Sequence, residues 1–359
     1  MLPAASACMQ GCRAPTVVAS ARSSRTSMAV RLGRSASIGC PVPMSRGMLA
    51  RRGPQRLAVS ASTSTAPLWS TLDDEINYYK TAPPSEKDSA AILSTYTKLA
   101  EADGLKKWGD IVGKPVLNRR NLFPNELKQV GILDPAAIGV PSVRNDAAFL
   151  GTVVIGTSLV AVLAGIVLPG EWGFWGTYLS GGISIAVLAI GSTAPGLLQV
   201  FINKFSTVFP DYRERVVRHE AAHFLTAYLA GVPVTGYSLD IGKEHTDLAE
   251  AKLQRKVYQG KLEEDDLNQL AVVSMAGIAS EATKFEEIVG QNADLMDLQR
   301  MMNKSATKLS DSQQQNLTRW AVYSAASVLR TYPKEYDALI AAMEARKSVS
   351  ECIKAIESA

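Results

Sequence analysis

Hydrophobic and polar positions fall into distinct regimes along this chain. The most marked is Ala147 to Leu168, 22 residues without a charge, enough helix to cross a hydrocarbon core of about 30 Å. A short turn, Pro169-Gly170-Glu171-Trp172-Gly173, precedes a second uncharged, glycine-rich span from about Trp175 to Val200, with Pro195 as a site for a kink. Trp172, Phe174, Trp175 and Tyr178 gather at one end, where an interfacial aromatic belt would lie. Two spans of this length with so short a connection predict a transmembrane helical hairpin over residues 146–205 rather than a buried core hairpin.

The flanks carry shorter periods. Residues 61–145 predict a soluble region of short helices and loops. Ile92, Leu93, Tyr96 and Leu99 recur at helical spacing between Ala90 and Ala102, and Pro115, Pro124, Pro135 and Pro141 punctuate the stretch up to the first span. After the spans, a helix is predicted from Asp211, an N-cap with Glu214 as capping-box partner, to a stop at Gly231 and Pro233. Val217, Phe224, Leu225, Tyr228 and Leu229 make its apolar face. A strand from Val234 to Ile241, a turn holding His245, a helix from Asp266 to Phe285 and another from Leu295 to Ser305 complete a domain over residues 206–310. In the tail, 311–359, Trp320, Tyr323, Val328, Leu339, Ile340, Met343, Ile353 and Ile356 recur at helical spacings, broken at Pro333, as a face packed on that domain. The expected fold class is mainly α with a short β element.

Charge changes the reading of the first 60 residues. No Asp or Glu occurs before Asp73, whereas nine arginines from Arg13 to Arg56 stand among Ser, Ala, Thr, Met and Pro. That is the composition of an organelle transit peptide, with cleavage expected near Val59-Ser60-Ala61. The uncharged opening Met1-Leu2-Pro3-Ala4 points to a plastid before a mitochondrion. Without the leader, the formal net charge of +4 becomes −5, since 29 basic residues then face 34 acidic ones. Neither that balance nor the leader, which lacks aromatic residues among its arginines, suggests a nucleic-acid partner. Cys8, Cys12 and Cys40 leave with the leader, so Cys352 alone cannot build a disulfide framework or a cysteine-based zinc site. Arg119, Arg120, Lys128 and Arg144 precede the spans and Lys204, Arg213, Arg215 and Arg218 follow them, whereas the turn carries only Glu171. Both flanks are therefore expected on the stromal side of a chloroplast membrane, thylakoid or inner envelope, with the mitochondrial inner membrane as the alternative.

Candidate chemistry centres on His219-Glu220-Ala221-Ala222-His223, two of the chain's three histidines. This is the HExxH pattern. Histidines at i and i+4 project from one helix face and can bind one zinc ion, while the adjacent Glu220 can act as general base on water. A catalytic zinc takes three protein ligands and an open position. A third histidine six residues past the second is absent, because position 229 is Leu. On physical grounds His245, Asp294 and Asp297 remain as third ligands. The two aspartates stand at the start of a predicted helix, where either could instead serve as an N-cap. Glu281 is placed to orient a ligand histidine through its other ring nitrogen.

One resemblance is specific. Met275-Ala276-Gly277-Ile278-Ala279-Ser280-Glu281-Ala282, followed by Gly290-Gln291-Asn292-Ala293-Asp294-Leu295, resembles the peptidase domain of FtsH-type zinc metalloproteases over roughly residues 205 to 335. There HExxH precedes a Gly-Gly-Arg-Ala-Ala-Glu-like helix and a Gly-Ala-Ser-Asn-Asp-Leu-like segment whose last Asp completes the zinc site. The resemblance implies a zincin-type peptidase and Asp294 as third ligand. It fails in one respect. FtsH proteases insert an ATPase module between span and peptidase, whereas about ten residues separate Val200 from Asp211, too few for any domain. The nearest phosphate-loop candidate, Gly109 to Pro115, has the wrong spacing and a proline where a hydroxyl belongs, so no ATP is expected to bind.

The leading expectation is a membrane-anchored zinc endopeptidase acting on proteins or peptides without its own ATPase, either as a homo-oligomer or in association with FtsH-type proteases. The alternative is a non-proteolytic FtsH-like scaffold with a structural zinc. An intramembrane protease is disfavoured by Arg213, Glu214, Arg215 and Arg218 in the first turns of the helix, whose burial in a bilayer would cost several kcal/mol.

Overall fold

The apolar run that begins at Ala147 folds as a long helix with no buried residue, beside a second helix almost as exposed. The computed structural model describes residues 65–83, 89–140, 142–248, 256 and 259–359. The basic leader and its expected cleavage point lie outside the described residues. In chain order the helices are α1 (Ala66–Thr81), α2 (Ala90–Glu101), the single turn α3 (Pro124–Leu127), α4 (Arg144–Val167), α5 (Glu171–Thr193), α6 (Pro195–Ser206) and α7 (Tyr212–Leu229). Strands β1 (Val234–Ser238) and β2 (His245–Leu248) come next, and then α8 (Glu264–Ser274), α9 (Ala276–Lys284), α10 (Gln291–Asn303), α11 (Asp311–Thr331), α12 (Pro333–Glu344) and α13 (Val349–Ser358). The described residues are mainly helical, with two helices among them long and apolar enough to cross a membrane and one small antiparallel sheet.

Helices α4 and α5 pair along their length. Close approach is possible because small residues face each other: a Cβ on Gly176 would stand 2.9 Å from the Ala164 Cβ. Hydroxyls tie the pair, Thr177 Oγ1 donating to the Ala161 carbonyl at 3.0 Å and Thr157 bonding Ser184. The second span differs from expectation. It starts at Glu171, within the expected turn, and stops at Thr193. Residues before proline are driven out of the α region, and Ala194 adopts φ −140°, ψ 64°, so Pro195 starts a new helix, α6, instead of kinking a continuous one.

Around α7 lies the core. Val217, Phe224, Leu225, Tyr228 and Leu229 are buried, and α9 and α12 cover the helix. Gly231, at φ +74°, turns the chain out of α7, as the stop signal predicts. The freed carbonyls at that end accept from loop amides, Gly109 N–H on Tyr228 at 3.2 Å and Ile111 N–H on Leu229 at 3.0 Å. The N-terminal helices share this core. Tyr96 of α2 donates to the Val234 carbonyl at 2.8 Å, and Trp108 packs between Tyr96 and Tyr228 with ring centroids 4.5 and 5.3 Å away. One hydrophobic cluster runs from Leu72 to Ile356.

Three further expectations are corrected. Asp211 does not cap α7 with its side chain; its backbone is helical and its carboxylate goes to Arg144 and Arg215. The strand after α7 ends at Ser238, and His245 opens β2 opposite it instead of sitting in a turn. The helix read as Asp266 to Phe285 is two helices, broken at Met275. Helix-forming residues on both sides of Met275 hid the break, which brings Gly277 against the histidines of α7.

Candidate metal centre

His219 and His223 lie one turn apart on α7, and their Nε2 atoms stand 3.1 Å from each other. Each ring is held from behind. His223 Nδ1 donates to the Val273 carbonyl at 2.8 Å, in the last turn of α8. His219 Nδ1 meets Glu281 Oε1 at 2.8 Å. With both Nδ1–H groups used as donors, both Nε2 lone pairs point into the same space. Two such lone pairs repel unless a cation or a proton lies between them.

Asp294, in the first turn of α10, closes the group. Its Oδ1 is 3.3 Å from His223 Nε2 and its Oδ2 is 3.3 Å from His219 Nε2. Oδ2 is buried and accepts no hydrogen bond. His219, His223 and Asp294 form a group that could hold a metal ion. The spacing suits zinc: ligand atoms about 2.0–2.1 Å from a tetrahedral ion sit roughly 3.3 Å from one another.

Electrostatics give the same answer. Burial opposes a charge on His219, yet Asp294 first and then Glu281 hold its pKa well above the usual histidine value. His223 is raised in the same way, mainly by Asp294. Burial works against the Asp294 carboxylate too, but the two facing imidazoles drive its pKa far below the ordinary range. The three side chains create a strong local demand for positive charge.

The second tier is equally built. Glu281 is almost fully buried; burial disfavours its charge, but His219, the Val289 amide at 2.9 Å and Arg215 keep its carboxyl below the usual range. Arg215 Nη1 lies 3.3 Å from Glu281 Oε2 and donates to the Glu287 carbonyl at 2.7 Å. Two glycines let backbone reach the imidazoles. A Cβ on Gly277 would stand 2.3 Å from His219 Nε2 and 2.5 Å from His223 Nε2. One on Gly290 would meet Glu281 Oε1 at 2.7 Å and His219 Cε1 at 2.8 Å.

Glu220 is buried beside His219, and Thr246 of β2 donates to its Oε2 at 2.8 Å. Glu220, both histidines, Asp294 and Thr246 line one cleft of about 1480 Å³ that also reaches Arg144 at the start of α4. Two other sequence candidates stay outside the group. Asp297 is exposed and pairs with Arg300 at 2.7 Å. His245 is half exposed, with Nδ1 donating to the Lys243 carbonyl at 2.7 Å and Nε2 3.4 Å from Asp247. Sequence reasoning missed the Val273 carbonyl, Thr246, Arg215 and the two glycines as parts of the site. Only the glycines left a signal, as residues without side chains inside or before helical patterns.

Comparison of the chain with protein-family models, curated proteins and solved structures finds no match. What fold and site define among the described residues is a mainly helical chain with two helices long and apolar enough to span a membrane and a largely buried His–His–Asp group that could hold a metal ion.

Proposed function

We propose that this protein is a membrane-anchored zinc endopeptidase of FtsH-like type that works without an ATPase module of its own. The observation that carries the reading is the convergence of His219 Nε2, His223 Nε2 and Asp294 within 3.3 Å of one another, with Glu220 in the same cleft. A zinc ion in this group would supply Lewis acidity, polarising a carbonyl and lowering the pKa of adjacent water towards about 7.

The chain's own residues do the rest. His219, His223 and Asp294 bind; Glu281 and the Val273 carbonyl fix which ring nitrogens face inward. Thr246 holds Glu220 by Oε2, leaving Oε1 to accept a proton from water and to return it to the leaving amine. Strand β2, held by β1, lines the cleft through Thr246 and is a candidate to align an extended peptide beside Glu220. The cleft reaches the base of α4, which favours flexible tails and loops near a bilayer surface, that of a chloroplast membrane on this reading, as substrates. A closed structural zinc, as in a scaffold, needs a fourth protein ligand, and the group has three members among the described residues.

Purified chain in lipid nanodiscs is expected to carry about one zinc per chain and to cleave an unstructured fluorogenic peptide. Glu220→Gln should keep the zinc and lose cleavage by about 10²-fold or more, the usual weight of a general base. Equal cleavage by both would overturn the proposal.

A further inference from the structure

Behind His219 runs a line of charges that ends at the membrane hairpin. Glu281 takes the His219 Nδ1–H at 2.8 Å and faces Arg215 at 3.3 Å. Arg215 Nε donates to Asp211 Oδ2 at 2.6 Å. Asp211 in turn accepts from Arg144 Nη1 on Oδ2 at 3.0 Å and from Nη2 on Oδ1 at 3.4 Å. Arg144 is the first residue of α4. Five residues from three helices and the linker before α7 thus join the foot of a candidate membrane span to a metal-ligating ring.

The line is held laterally as well. The Arg215 guanidinium lies over the Phe285 ring at 3.9 Å and that of Arg144 over Phe209 at 4.7 Å. Each is fixed in plane by an aromatic face, and a planar fork can serve two acceptors at once, as lysine's point charge cannot. The side chains of Arg215 and Glu281 are nearly withdrawn from solvent, so their interactions are poorly screened. Side chains that orient a metal ligand commonly change metal affinity about 10- to 100-fold when removed.

From this we infer that Arg144, Asp211 and Arg215 are positioning residues: the seat of the membrane hairpin sets the orientation of His219 and hence the affinity of the site for its metal. The inference rests on the metal reading above, and goes beyond it in coupling that site to the anchor. A detached or displaced hairpin pulls Arg144 from Asp211, frees Arg215, and lets Glu281 turn away from His219. The anchor then does more than tether. It keeps the site loaded only when α4 is properly seated.

A double-mutant cycle on zinc affinity tests this, with full-length chain in nanodiscs titrated against a chromophoric zinc chelator. Glu281→Gln is expected to weaken zinc binding about 10- to 100-fold, and Arg144→Gln about 10-fold. The double variant should bind no more weakly than Glu281→Gln alone, because one line carries both effects. Asp211→Asn breaks the same link from the other side and should match Arg144→Gln. Arg215→Lys should not restore wild-type affinity. Circular dichroism of the zinc-free forms verifies that each variant is folded, and one of the two link-breaking variants suffices. Losses that multiply in the double variant, or an unchanged affinity in Arg144→Gln and Asp211→Asn, overturn the relay while leaving the zinc site intact. A wild-type chain that takes up no zinc overturns the metal reading itself.

Discussion

At the scale of single residues, the space in front of His219 and His223 is reserved by a missing side chain. Gly277 could not carry a Cβ without placing it 2.3 Å from one ligand nitrogen, inside the volume where the three donors converge. Gly277→Ala is therefore expected to displace the imidazoles at an overpacking cost of about 1–3 kcal/mol, offset in part by alanine's helix preference of about 1 kcal/mol, and to lose zinc. Asp294→Ala should lose it as well, whereas Asp297→Ala and His245→Ala should keep it, because those two side chains already pair with Arg300 and with Lys243 and Asp247. Elemental analysis of the purified variants reads all four; retention of zinc by Asp294→Ala would remove that residue from the site. The histidine pair and Glu220 were legible in the sequence because their relation is local, set by the roughly 3.6-residue turn of a helix. Choosing Asp294 over Asp297 needed either the resemblance or the fold. Thr246 and Arg215 left no local mark, since their roles exist only where β2 or α9 meets α7.

Between elements, the α4–α5 hairpin shows which glycines its geometry requires. A Cβ on Gly176 would press on Ala164, yet one on Gly181 would meet nothing within 4 Å. Gly176→Val is expected to destabilise the hairpin by about 1–3 kcal/mol, the usual cost of overpacking. Gly181→Ala should be neutral or slightly stabilising, as expected for removing a helical glycine. Denaturant titrations in detergent micelles compare the two, and an equal response would mean that the helices do not approach closely there. Apolar runs without charge were readable as helices long and apolar enough to span a membrane, because length and hydrophobicity suffice for that. The end of the first run was legible to within a residue, but that of the second was not. Leu197, Val200 and Phe201 continue the apolar count past Ala194, though the backbone has already turned before Pro195. Asp211 misled for a related reason: its residue type suits a cap, but two arginines nearby in space claim its carboxylate and hold its pKa at about 2.

Taken whole, the molecule hangs its candidate metal group on helices distant in sequence. His219 and His223 come from α7, Asp294 from α10, and the supports from the end of α8 and from α9. Amphipathic spacing predicted most of these helices but not their partners, and so gave no sign that α1 and α2 enter the same core as α13. On the proposed zinc reading, only docked α7 and α10 present all three donors, so the ion would stabilise that docking by mass action. At free zinc about 100 times its dissociation constant, the gain in unfolding free energy is about 2.7 kcal/mol. The thermal midpoint of the nanodisc-embedded chain should therefore rise with free zinc and fall when a chelator removes it. Asp294→Ala should show neither response, since without its carboxylate the two imidazoles lack the charge that draws the cation. Both should appear in Glu220→Gln, which keeps every ligand. A midpoint that tracks zinc equally in wild type and Asp294→Ala would mean that the ion binds elsewhere, and the His–His–Asp group would then be a hydrogen-bonded cluster in the core.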